Sequence, residues 1–98
     1  MSYKFFHREF LAKPDEADDS SSVIARVNSS DKDYPYLGAG LRFADQYDYI
    51  HLSFYGGEEE EIDAAVSRAK KLKDIVDKFY VALEAEAKVV KKSLKENK

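Results

Sequence analysis

The stretch QYDYIHLSFYGGEEEEIDAA, residues 46–65, holds the transition on which the architecture turns. An alternating run rich in rings (Tyr47, Tyr49, His51, Phe54, Tyr55) meets Gly56-Gly57, then Glu58–Glu61, then an uninterrupted helical pattern. Alternation over Asp48–Tyr55 reads as a strand with Ile50, Leu52 and Phe54 on one side and Tyr49, His51, Ser53 and Tyr55 on the other. Gly57 stands where a helix N-cap belongs. The four glutamates after it complement the positive end of the helix dipole, and Lys91, Lys92, Lys95 and Lys98 complement the negative end. No glycine or proline follows Gly57, so the helix is predicted to run unbroken from Glu58 to about Lys95.

Three further strands are predicted upstream. The first covers about Tyr3 to Ala12 and stops at Lys13-Pro14, where proline removes a ladder donor. Its faces are ambiguous, because Phe5 and Leu11 alternate against Phe6 and Phe10. A loop of low hydrophobicity, DEADDSSS, precedes the second strand, Ser22–Asn28. The turn-forming stretch NSSDKDYP then leads to the third, about Tyr36–Ala44, whose apolar set is Leu37, Ala39, Leu41 and Phe43. Short links between successive strands make a meander the simplest topology.

The predicted fold is α+β: a four-stranded antiparallel meander sheet followed by one long C-terminal α-helix packed on one face and projecting beyond it. The helix would span roughly 55 Å at its normal rise, against about 30 Å for a nine-residue strand. Residues 1–98 are read as a single domain, with 1–57 the meander and 58–98 the helix. A wide stripe from Ile62 to Leu83 is expected to cover the sheet and to place Phe54 and Phe79 in one core. Beyond it the apolar line narrows to Leu83, Ala87, Val90 and Leu94, a seam that suits helix pairing and makes the C-terminal half competent for oligomerisation.

Composition bounds the chemistry. The 98 residues are 44% apolar and 36% charged, with a net charge of −3 and no cysteine. Thiolate metal sites, disulfides and cysteine nucleophiles are therefore excluded, and no global basic field draws in nucleic acid. No segment approaches the roughly 20 apolar residues of a membrane span, and MSYKFFHREF lacks the apolar core of a secretory signal. These features predict a cytoplasmic protein without membrane contact.

The candidate partner- or ligand-binding residues are Tyr36, Arg42, Tyr49, His51 and Tyr55 on the outward sheet face, with Arg26, Lys4 and Arg8 nearby. Tyrosine and arginine anchor protein interfaces; rings interleaved with cations also suit single-stranded nucleic acid. His7 and His51 could serve as an acid and a base if they faced one another, yet no third group orients them. LGAGL, residues 37–41, leaves a slot without side chains that a neighbouring tyrosine is expected to cover. The acidic loop 15–19 and Glu58–Glu61 lack a calcium-loop pattern, although such clusters can mimic phosphates toward a basic partner. Nothing in the sequence supports nucleophilic catalysis, a cofactor motif or a metal centre. The reading is a non-enzymatic, self-associating interaction protein, an inhibitor or adaptor that binds another protein through its aromatic sheet face. The alternative is a single-stranded nucleic-acid or nucleotide-binding module using that same face.

Overall fold

The computed structural model describes residues 3–11, 21–30, 32–45 and 47–97. Strands β1 (Tyr3–Phe10), β2 (Ser22–Asn28), β3 (Leu37–Ala44) and β4 (Tyr49–Gly56) are followed by helix α1 (Glu59–Glu96). The strands form one antiparallel sheet in chain order, β1-β2-β3-β4. This is the predicted α+β meander, with β2 bounded as expected and the other strand ends within two residues of those expected. The acidic loop 15–19 lies outside the described residues.

Cross-strand partners share a face, so the register sorts the side chains. Val23 pairs with Phe43 and Phe43 with Ile50; Ala25 pairs with Leu41 and Leu41 with Leu52; Val27 pairs with Ala39 and Ala39 with Phe54. These rows make the apolar face. The register also settles β1, placing Phe5, His7 and Glu9 on this side through their partners Val27, Ala25 and Val23. Phe6, Arg8 and Phe10 fall on the other side. A β-bulge between Tyr3 and Phe5 then brings Tyr3 to the face of Phe6, their ring centres 5.2 Å apart.

Between β3 and β4 the chain turns on Asp45. Its Oδ1 accepts from the backbone N–H groups of Tyr47 and Asp48, each at 2.8 Å, while Asp45 N–H donates to the Asp48 carbonyl at 2.9 Å. That turn sets where Tyr49 enters the sheet.

At the other end of β4 the helix begins against the strand. Glu61 reaches back to accept from the N–H groups of Gly57 (3.2 Å) and Glu58 (3.1 Å), one half of a capping box. Glu58, rather than Gly57, therefore holds the cap position. Gly56 allows the close approach, because a Cβ there would stand 2.7 Å from Ile62 N. Phe54 and Ala65 are the buried apolar side chains among the described residues.

The chain divides into two compact units, Met1–Val66 and Ser67–Lys98. The boundary falls inside α1 rather than at its start, so the first two helical turns belong with the sheet. From Ser67 to Asn97 every residue except Leu72 is exposed. Phe79 is 63% exposed, which corrects the expectation that it shares a core with Phe54. The physical reason lies in the stripe itself: steps of three and four residues suit a helix on a sheet and a helix on a helix equally well. Among the described residues no helix is long and apolar enough to cross a membrane.

Candidate ligand-binding face

Opposite the apolar rows, the register assembles a second face of different chemistry. One row runs Arg8–Ile24–Arg42–His51, the next Phe6–Arg26–Gly40–Ser53, and a third Phe10–Ser22–Ala44–Tyr49. Tyr3 pairs with Asn28, and Tyr55 with Gly38. No aspartate or glutamate occupies a register position on this face, while three arginines do. Among the described residues none of the three forms an ion pair with a carboxylate.

The arginines lie against planar groups instead. The Arg42 guanidinium sits 4.2 Å from the centre of the Tyr49 ring, and that of Arg8 sits 5.6 Å from the Phe10 ring. Arg26 Nη2 donates to His51 Nε2 at 3.3 Å. Arginine is always a donor, so the imidazole nitrogen is the acceptor in this contact. Gly40 is what lets these two side chains lie close to the strand: a Cβ there would meet His51 Nε2 at 2.6 Å and Arg26 Nη2 at 3.3 Å. Around them opens a concavity of about 400 Å³, bounded by Tyr3 and Phe6 on the β1 side and by Arg42 and Tyr49 on the β4 side.

Of the residues predicted for the site, Arg42, Tyr49, His51 and Tyr55 share this face. Tyr36 precedes β3, yet its ring reaches the same side, with Cε2 3.1 Å and the hydroxyl 3.3 Å from where a Gly38 Cβ would stand. A tyrosine thus covers one glycine of LGAGL, as expected, and the Arg26–His51 pair covers the other. The Asn28 Oδ1 beside them is enclosed without a hydrogen-bond partner. Tyr3 and Phe6 were not anticipated, because a bulge in β1 leaves no mark in an alternating pattern.

The histidine pair is a correction. His7 lies on the apolar side and His51 on the arginine side, so the sheet separates them. His7 Nε2 instead contacts Glu9 Oε1 at 2.8 Å. No group of three His, Cys, Asp or Glu side chains suited to a metal ion occurs among the described residues. The predicted interface residues Leu83, Ala87, Val90 and Leu94 are all exposed on α1.

Comparison with protein-family models, with curated proteins and with solved structures gives no match.

Proposed function

We propose that this protein is a non-enzymatic binding module that self-associates through α1 and engages an anionic partner on the arginine-bearing face of its sheet. One observation carries the reading: among the described residues, three arginines and no carboxylate occupy register positions on one face of a chain whose net charge is −3. At physiological salt, charges beyond about 8 Å are largely screened. The local sign of the face therefore outweighs the global charge. Self-association is supported by the exposed line Leu83, Ala87, Val90 and Leu94, which fits a second copy of the same helix.

Retention on immobilised heparin at low salt tests the reading. A protein of net charge −3 should pass through unless a basic patch holds it. The expected result is retention by the parent chain, lost when Arg8, Arg26 and Arg42 are all replaced by alanine. Passage of the parent chain would overturn the proposal.

A further inference from the structure

We infer that the anionic partner is single-stranded nucleic acid, with one unstacked base seated on the Arg26–His51 platform. This inference rests on the proposed anionic face and names its ligand. The concavity brings together four planar groups: the His51 imidazole, the Tyr49 ring and the guanidiniums of Arg26 and Arg42. Splayed bases stack on aromatic rings, on histidine and on arginine planes. Its volume of about 400 Å³ lies within the range of sites that take a small ligand.

The chemistry separates this ligand from the other anions. An acidic polypeptide offers carboxylates to the arginines but does not pair each charge with a ring, as a nucleotide does. In a duplex the bases already stack on one another and leave no free face for the platform. A single strand supplies both components, because its phosphates meet guanidinium donors while its bases meet flat groups. Arg26 and Arg42 stand diagonally across adjacent strands, about 7–8 Å apart at the backbone, so two cations border the concavity that receives the base. Arg26 spends one of its five donors on His51 and keeps the remainder for phosphate oxygens.

The test is fluorescence anisotropy of a labelled oligothymidylate, with the matching duplex, heparin and polyglutamate as competitors. The oligothymidylate should compete at least as well as heparin by mass, and the duplex and polyglutamate markedly less. Tyr49→Ser and His51→Ala should each weaken single-strand binding about 5- to 150-fold, the loss of one stacked base. Tyr49→Ser removes no charge and should leave the salt slope unchanged. Arg42→Ala should reduce that slope by about 0.7, the contribution of one phosphate contact on a single strand. Circular dichroism of each variant reports whether the sheet is intact. Binding of heparin or polyglutamate in preference to the oligonucleotide, or indifference to both ring variants, would overturn the inference while leaving the anionic face standing. Failure to bind any polyanion would overturn the parent proposal as well.

Discussion

Gly56→Ala and Gly40→Ala add the same methyl group to adjacent strands of one sheet, and the structure gives them opposite consequences. At Gly56 the new carbon would stand 2.7 Å from Ile62 N and 2.9 Å from both the Glu61 carbonyl carbon and Ile62 Cγ1. Two of those three atoms are backbone in the first turn of α1 and cannot rotate aside. Overpacking of this kind costs about 1–3 kcal/mol, against about 0.5–1 kcal/mol saved by replacing a strand glycine. The net loss of about 1–2 kcal/mol corresponds to a fall in Tm of roughly 5–15 °C for a chain of this size. At Gly40 the same carbon would meet only the far ends of two exposed side chains, His51 and Arg26, which can swing away. The entropic saving of about 0.5–1 kcal/mol and the lost hydrogen bond of about 0.5–1.5 kcal/mol nearly cancel. Stability should hardly change, but the platform is displaced and oligothymidylate affinity should fall. Thermal melts followed by circular dichroism, with anisotropy on the same samples, read both effects. A Gly56→Ala chain as stable as the parent would refute the close approach of strand and helix. A Gly40→Ala chain that melts early, or that binds oligothymidylate as tightly as the parent, would refute the role given to that glycine.

Three further outcomes are expected. Glu61→Ala removes the acceptor for two N–H groups at the helix start and should cost about 1 kcal/mol, read from the denaturation midpoint. Tyr49→Ser combined with Tyr55→Ser should shift stability by less than about 1 kcal/mol, because both rings are more than half exposed; an unfolded double variant would mean that another surface covers this face. Val90→Asp with Leu94→Asp should convert an oligomer to a monomer in light scattering, and a parent chain that is already monomeric at tens of micromolar would end the self-association proposal.

Much of the architecture was legible because two periodicities meet at a glycine pair. Ile50, Leu52 and Phe54 alternate, Ile62 and Ala65 do not, and nothing after Gly57 interrupts the helix. The cap was misplaced by one residue, since Glu61 reaches back past Glu58 to Gly57 and the local sequence fits either assignment. The reach of the sheet-bound part of α1 was overestimated for a deeper reason. The steps Ile62, Ala65, Ala69, Leu72, Val76, Phe79, Leu83 form one continuous seam, and a one-dimensional pattern carries no signal for where its packing partner ends. Burial supplies that signal, falling from Ala65 at 1% exposed to Phe79 at 63%.

The site was legible in its β3 and β4 half only. Arg42, Tyr49, His51 and Tyr55 follow from alternation within two clear strands, whereas Tyr3 and Phe6 depend on a bulge and on pairing with β2. Net charge is silent about this face for a related reason, since it averages over faces that the fold keeps apart. Glu9 lies on the apolar side, and Glu58–Glu61 gather at the start of the helix. Among the described residues, segregating acids in this way leaves Arg8, Arg26 and Arg42 on a face with no carboxylate at a register position, where each guanidinium keeps donors for an outside ligand. An ion pair to a neighbouring carboxylate would have occupied those donors and cancelled the field of the face. The Arg26–His51 contact takes one donor but sets no carboxylate beside the arginine. The groups lining the concavity therefore combine positive charge with aromatic rings, and a single-stranded polyanion carrying bases is the ligand we propose because it uses both.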